Sequence, residues 1–380
     1  MSRSNLLARV QSCIRQHDLR GALEVAVALH RDNLADEADR AYRAILKAWP
    51  LQPDAQNGRA MLLSTAGRHD EALPVLAALC QHAPDNPGLW MNRGSVELAA
   101  GLLDAAVDSL ETAIRLSPRY LDPYHSLCDA LLRSDRADEA VNTCDRAIAA
   151  AGRDFHALAF KAHALADAGR QAESNTLLDH DKYTHTYHFD PPHGFADINA
   201  FTTACARFIS SHPTLEANVM STEHGKHTGE LLLPFGGPME ALRATINEAV
   251  RWYLKQIPDD PAHPMTIWKP KEWKITSWGV VMYNKGHERA HIHPKGWLSG
   301  VFYVQLPDLI NDPARKPEGW LEFGRPTLEL HVKSAPSIRH YQPRYGAMYL
   351  FPSYFYHGTV PFKSEQRRIC VAFDIEPVTV

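Results

Sequence analysis

Residues 84–101 read PDNPGLWMNRGSVELAAG and residues 118–135 read PRYLDPYHSLCDALLRSD, so the second stretch restarts the first after 34 residues. The same step of 34 residues joins four positions that close helical patterns: Pro50, Pro84, Pro118 and Gly152. A repeat of this length is typical of a unit made of two helices and the turn between them. The first part of the chain is therefore predicted to be an array of such units.

Three further columns keep the same register and hold small or turn-forming residues. Two of them are Ala38, Ala72, Ala106, Ala140 and Ser174, and Ala26, Ala60, Gly94, Cys128 and Ala162. The third, between the two helices of each unit, is Asn33, Gly67, Gly101, Asp135 and Gly169. Small side chains let paired helices approach closely, and Gly, Asn or Asp suits the turn that ends a helix.

Together with Trp90 and Tyr124, which share an aromatic position, these columns resemble tetratricopeptide repeats over about residues 19–186, with four full units and a weaker fifth. The resemblance implies a solenoid whose inner groove binds a peptide or a partner protein. A role as a spacer or dimerisation element is the alternative, because a fold alone does not define a function.

Composition excludes several classes of protein. The 380 residues are 45% hydrophobic and carry a net charge of -4, which does not favour nucleic acid or an anionic membrane as the main partner. The six cysteines are scattered without a CxxC pair, as is usual in a reducing compartment. We find no secretory signal and no apolar run of membrane-spanning length, so we expect a cytoplasmic protein.

The second part of the chain reads mostly as strands. Helical spacing is confined to about residues 201–211 and 239–256, which we expect to flank the strands. Short runs rich in aromatic and β-branched residues then follow: KITSWGVVMY, WLSGVFYVQLP, GWLEFG, LELHV, GAMYLFP and RICVAFDIEP. Runs of this kind predict an antiparallel sandwich or barrel.

A possible metal site stands out within the strands. In the sequence His291-Ile292-His293-Pro294 the two imidazoles point to the same side if the chain is extended, because side chains alternate along a strand. His357 follows the run GAMYLFP and is a third candidate, and Arg368 comes eleven residues later.

The order of His-x-His-Pro, then Leu-Ser-Gly before an aromatic strand, then GAMYLFPS, a distal His and an Arg resembles the iron(II)- and 2-oxoglutarate-dependent oxygenases. The resemblance covers roughly residues 199–377 and implies a double-stranded β-helix, or jelly roll, with flanking helices. It also implies iron(II), 2-oxoglutarate and dioxygen as cofactor and cosubstrates, and hydroxylation as the reaction. We therefore predict a repeat solenoid over residues 1–186, a linker over 187–198 and an oxygenase domain over 199–380.

The resemblance assigns roles to individual residues. It makes His291 and His357 the first choices as metal ligands, with His293 as the third ligand or as a residue that supports one, and Arg368 the cation that binds the far carboxylate of 2-oxoglutarate. Arg367, on the opposite strand face, is the less favoured choice. Three neighbouring side chains are expected to bind or shape the cosubstrate pocket: Ser299, Tyr303 and Tyr283.

One position departs from the family pattern. The usual facial triad is His-x-Asp/Glu with a distal His, whereas His293 stands here at the carboxylate position. Three readings remain: an all-histidine face, two histidines with water, or a carboxylate supplied from elsewhere, such as Glu288 or Asp374.

The favoured function is hydroxylation of a peptide or protein side chain that the repeat groove recruits. A small-molecule or carrier-bound substrate is the alternative use of the same architecture. Two other functions stay open: a scaffold with a degenerate jelly roll, and a three-histidine oxygenase that does not use 2-oxoglutarate.

Overall fold

The computed structural model describes residues 3–217, 222–232, 236–328 and 330–378. The chain forms two compact units, residues 1–151 and 152–380. No helix within the described ranges has the length and apolar character needed to cross a membrane.

The first unit consists of helices in antiparallel pairs. Its helices are α1 (Arg3–Arg15), α2 (Leu19–Arg31), α3 (Ala35–Ala48), α4 (Pro53–Thr65), α5 (His69–His82), α6 (Pro87–Ala99), α7 (Leu103–Leu116), α8 (Asp122–Arg133) and α9 (Ala137–Ala151). The alanines of the small-residue columns are buried, and a Cβ added to Gly94 would lie 2.7 Å from Cγ of Leu110. These columns therefore mark the points where paired helices touch.

The 34-residue period is also visible in hydrogen bonds. A side chain six residues after each periodic proline donates to that proline's carbonyl: Gln56 to Pro50 (3.0 Å), Trp90 to Pro84 (2.9 Å) and Tyr124 to Pro118 (3.1 Å). All five residues of the turn column have positive φ: Asn33, Gly67, Gly101, Asp135 and Gly169. The predicted tetratricopeptide solenoid is confirmed.

The second unit begins with the last helix pair and continues into the sheets. Its helices are α10 (Phe155–Asp167), α11 (Gln171–Leu177), α12 (His180–Tyr183), α13 (Ile198–Ser210), α14 (Pro238–Gln256) and α15 (Pro264–Ile267). Its strands are β1 (His185–Tyr187), β2 (Glu216–Ala217), β3 (Thr222–His227), β4 (Trp273–Glu288), β5 (Leu298–Gln305), β6 (Leu321–Phe323), β7 (Arg339–Tyr341), β8 (Met348–Pro352), β9 (His357–Thr359) and β10 (Arg368–Pro377).

The strands form two antiparallel sheets. The larger has the order β1-β8-β5-β10-β4-β3-β2, and the smaller has the order β7-β6-β9. Helix α13 packs on the larger sheet, where the rings of Phe201 and Phe302 lie 5.7 Å apart. This is the predicted double-stranded β-helix with flanking helices.

The helix pair α10–α11, which the sequence predicts as the last repeat, belongs to the compact unit that holds the sheets. Phe155 of α10 packs against Trp268 and Tyr354, with ring centroids 5.2 Å and 6.5 Å away. The Tyr354 hydroxyl donates to the carbonyl of Leu177, 2.5 Å away, at the end of α11. The first strand, β1, pairs with β8 as the edge of the larger sheet and reaches into the segment predicted as a linker.

The prediction of a strand for LELHV, residues 328–332, is wrong. The residues described there form a turn and a loop. Leu328 is 93% exposed. The next backbone N–H groups, of Lys333 and Ser334, donate to the carboxylate of Asp167 instead of to a neighbouring strand. Apolar spacing favours a strand only where a partner satisfies its backbone.

Two buried histidines make the packing of α10 and α12 against the strands dependent on pH. Burial lowers the pKa of His163 and of His180 to about 4. His163 lies against the Tyr356 ring (5.3 Å) and His180 against the Phe355 ring (4.5 Å), next to the strand that begins at His357. Both histidines are therefore neutral in the folded protein at neutral pH.

We expect acid to loosen α10 and α12. The folded pKa lies below the unfolded value of about 6.5, so this stabilisation is complete above about pH 6.5. It is lost as the pH falls towards 4, at about 1.4 kcal/mol per pH unit for each histidine. Hydrogen exchange of the α10 and α12 amides between pH 7.5 and 4.5 measures the opening free energy. His163→Phe should reduce the dependence of this opening free energy on pH. His193→Phe, at an exposed position, is the control and should leave that dependence unchanged. The same pH dependence in both variants would contradict a role for His163.

Candidate functional site

Three histidines meet at the junction of the two sheets. His291 and His357 form an antiparallel bridge in which each backbone N–H donates to the other's carbonyl, at 3.0 Å, and their rings lie 4.4 Å apart. The ring of His293 lies 4.9 Å from each of them. Potential ligand atoms of the three residues all lie within 4.8 Å of one another. Over the described ranges this is the one group of three or more His, Cys, Asp or Glu residues arranged so.

Hydrogen bonds orient each ring. Nδ1 of His291 lies 2.7 Å from the carbonyl of Arg289, and Nδ1 of His357 lies 2.8 Å from the carbonyl of Phe355. Nδ1 of His293 lies 2.6 Å from Oδ1 of Asp374. Since these acceptors require a proton on Nδ1, the lone pair of each neutral ring is on Nε2.

Burial keeps two of the rings unprotonated. Desolvation lowers the pKa of His291 to about 4 and holds that of His357 well below its ordinary value. A neutral imidazole is the form that binds a metal ion. At neutral pH these two side chains are ready to act as ligands.

The histidines border a cavity of about 410 Å³ between the two sheets. Alternate residues of β4, β5 and β10 line one side of it, because Ala372 of the central strand pairs with Trp278 on one neighbour and with Val301 on the other. Leu321 and Thr359 of the smaller sheet line the opposite side. The sheet register therefore decides which side chains reach the cavity.

Arg368 is a buried cation on the wall of this cavity. It is 2% exposed, and its guanidinium donates to the Tyr303 hydroxyl at 3.2 Å and to the Gly319 carbonyl at 3.3 Å. Sulfur atoms of Met282 and Cys370 are its other partners, and no acidic side chain of the described residues forms an ion pair with it. Arg367, by contrast, is exposed.

The three expected pocket residues have different positions. Tyr303 and Ser299 line the cavity, and burial raises the pKa of the Tyr303 hydroxyl. Ser299 also donates to Oδ1 of Asp374 at 2.6 Å. Tyr283 is 42% exposed and borders a separate surface pocket beside Arg367, so the expectation that it shapes the cosubstrate pocket is corrected. Met282 before it faces the cavity, and alternation along β4 turns Tyr283 to the other face.

The two carboxylates considered as ligands lie outside the histidine group. Asp374 contacts Nδ1 of His293, which leaves Nε2 as the nitrogen of this ring that can bind a metal. Glu288 accepts hydrogen bonds through Oε1 from Thr222 and from Nε2 of His227, the latter at 2.8 Å. His227 and Glu288 line the cavity, but sequence reasoning missed His227 because only the pairing of β3 with β4 brings it there.

Comparisons with protein families match both parts of the chain. Models described as tetratricopeptide repeat match residues 26–87, 58–120 and 97–164, and a model described as "Putative 2OG-Fe(II) oxygenase" matches residues 276–374. The last range contains His291, His293, His357, Arg368 and Asp374. No curated protein sequence gives a significant match.

Solved structures resemble each part separately. MamA shares 20% identity, covers 43% of this chain and 92% of its own, and has a TM-score of 0.38. A tetratricopeptide-repeat protein of Thermus thermophilus shares 21% identity, covers 42% of this chain and 87% of its own, and has a TM-score of 0.36. A prolyl-4-hydroxylase of Pseudomonas putida shares 12% identity, covers 53% of this chain and 97% of its own, and has a TM-score of 0.36. On the family matches, the chain joins an array of tetratricopeptide repeats to a domain of the 2OG-Fe(II) oxygenase family.

Proposed function

We propose that the chain is an iron(II)- and 2-oxoglutarate-dependent dioxygenase that hydroxylates its substrate. The observation that carries this proposal is the pairing, in one cavity, of three converging histidines with a buried arginine that has no acidic partner among the described residues.

The donor set fits iron(II). Imidazole nitrogen suits this ion, and three ligands on one face leave positions for a bidentate 2-oxo acid and for dioxygen. His291 and His357 are neutral at physiological pH because burial lowers their pKa values. We assign His291, His293 and His357 as the metal ligands.

The arginine fits the far carboxylate of 2-oxoglutarate. Removing a guanidinium from water costs several kcal/mol unless an anion compensates it, and Arg368 has only neutral partners in the described structure. Its planar fork binds a carboxylate through two parallel hydrogen bonds. The Tyr303 hydroxyl, 3.2 Å from a guanidinium nitrogen, holds that fork in place.

The chain's own contribution to the reaction is binding and orientation. Bound iron(II), with 2-oxoglutarate and dioxygen, supplies the oxidation of a C–H bond. His291, His293 and His357 hold the ion, and Arg368 sets the direction in which the cosubstrate enters. The apolar walls, including Val301, limit the access of water to the reacting groups.

Removal of one histidine should weaken metal binding. His291→Ala deletes one of the three proposed ligands, and only water can take the place of its imidazole. We therefore expect at least a tenfold loss of iron(II) affinity in anaerobic titration. His287→Ala is the matched control, since His287 lies on β4 and its Nδ1 bonds the Lys285 carbonyl outside the group. Equal affinities of the two variants would contradict the assignment, and a folded wild type that binds no iron(II) would favour the scaffold function.

Removal of the arginine should weaken the binding of 2-oxoglutarate and leave the binding of iron(II) nearly unchanged. Arg368→Ala should raise the Kd for 2-oxoglutarate at least about 30-fold, or about 2 kcal/mol, while iron(II) binding stays close to that of the wild type. The visible charge-transfer band of the iron–2-oxoglutarate complex reports this affinity under anaerobic conditions. The exposed neighbour Arg367→Ala serves as control. A wild type that binds iron(II) but shows no affinity for 2-oxoglutarate would favour the three-histidine oxygenase.

We also propose that the substrate is a peptide or protein side chain recruited by the repeats. Side-chain amides join the first helices of neighbouring repeats, where Nδ2 of Asn92 donates to Oδ1 of Asn57 at 2.9 Å. Such amides can exchange this bond for bonds to a peptide backbone. A peptide held at a tethered second site has a high effective concentration at the iron.

Incubation of a peptide library with the iron(II)-loaded protein, 2-oxoglutarate and air should yield peptides that gain one oxygen atom, detected by mass spectrometry. The double variant Asn57→Ala/Asn92→Ala should raise KM for such a peptide about tenfold or more and leave kcat unchanged, since only recruitment is lost. Asn142→Ala, at an exposed position of α9, is the control. Succinate formation without any oxidised peptide would point instead to a small-molecule substrate.

A further inference from the structure

A buried carboxylate stands directly behind one of the three histidines. Asp374, 8% exposed, lies on the central strand β10, where it pairs with Ser299 of β5 and Thr276 of β4. Its Oδ1 lies 2.6 Å from Nδ1 of His293 and receives the Ser299 hydroxyl, also at 2.6 Å. Two donors therefore converge on one oxygen of a carboxylate held by a strand paired on both sides.

This contact restricts the ring of His293. The imidazole can keep its Nδ1–H bond only in one orientation of the ring plane, and the Trp278 ring lies 5.3 Å from it. The backbone of His293 is held as well, because its N–H donates to the carbonyl of Ser353 at 2.9 Å. With main chain and Nδ1 both fixed, Nε2 is the nitrogen left as a ligand, and the potential ligand atoms of the three histidines lie within 4.8 Å of one another.

The contact also differs from those of the other two rings. His291 and His357 donate to backbone carbonyls, which are neutral, whereas His293 donates to a carboxylate. A charged acceptor strengthens the hydrogen bond and makes the opposite nitrogen a better electron donor. His293 also occupies the sequence position at which the facial triad carries its carboxylate.

We propose that Asp374 is a positioning residue for the metal site: it orients His293 and supplies, through that imidazole, the negative charge that a carboxylate ligand would bring directly. The proposal rests on the proposed iron-binding function. Ser299 supports the same role, because its hydroxyl holds the carboxylate in the position from which it bonds the ring.

The first test is the affinity for iron(II), with Co(II) as a second, air-stable probe. Asp374→Leu should lower both affinities about 10- to 100-fold, the usual effect of removing such a partner. Asp374→Asn keeps an acceptor oxygen without the charge, and its metal affinity should lie between those of the wild type and Asp374→Leu. Glu376→Gln is the matched control: this acid lies two residues further along the same strand face and bonds Thr276 and Lys274, not a histidine. It should bind both metals like the wild type.

A double-variant comparison separates positioning from a general structural effect. If Asp374 acts through His293, Asp374→Leu should change the affinity less than twofold when His293 is already alanine. Independent, multiplicative losses in the double variant His293→Ala/Asp374→Leu would overturn the proposal.

The second test needs no metal. Nitrogen-15 spectra of the metal-free protein labelled at histidine should show His293 protonated on Nδ1 in the wild type and in Glu376→Gln, and a shift towards the Nε2–H form in Asp374→Leu. Asp374→Asn controls for folding, because it preserves the size and shape of the side chain.

The outcomes distinguish the two proposals. A wild type that binds neither ion overturns the proposed function, and this inference with it. A wild type that binds both ions, with Asp374→Leu matching its affinity and its tautomer, overturns the positioning role alone.

Discussion

The pair of backbone hydrogen bonds between His291 and His357 is the constraint on which the rest of the site depends. Each N–H donates to the other's carbonyl at 3.0 Å, so two residues far apart in sequence become direct partners of an antiparallel bridge. Side chains of directly opposed residues project to the same face. The bridge therefore presents both imidazoles to one point, and the extended chain from His291 to His293 adds the third. Three rings meet without a long loop to hold them.

The sequence predicts best those features that depend on neighbouring residues. The 34-residue columns identify the repeats because each helix pair repeats the same contacts, as the equivalent bonds of Trp90 and Tyr124 demonstrate. The common side of His291 and His293 follows from alternation alone. The contact of Asp374 with His293 could not be derived in this way, because it requires the register of β10 against β5. At the sequence level Asp374 was one of two possible carboxylates, with no reason to prefer a contact with Nδ1 over a ligand position.

The two corrections have a related cause. Tyr283 ends the run GVVMY, in which the preceding residues are buried on both faces of β4: Ile209 of α13 packs beside Gly279, while Met282 lines the cavity. A strand covered on both faces loses its apolar alternation, so the sequence does not show which residues face the cavity. In LELHV the spacing is suitable for a strand, but the nearby backbone is bonded by the carboxylate of Asp167. In both cases distant parts of the chain decide the outcome.

Desolvation links the separate properties of the cavity. The same burial that keeps His291 neutral at physiological pH also leaves the Arg368 cation without the solvation that water would supply. On the proposed function, iron(II) adds two further positive charges to this low-dielectric space, and the nearby Asp374 carboxylate compensates only part of them. A 2-oxo dicarboxylate carries one anionic group for the metal and one for Arg368. The metal and Arg368 both favour binding of this dianion, so their contributions to its binding are coupled. The metal and the cosubstrate therefore strengthen each other's affinity for the protein.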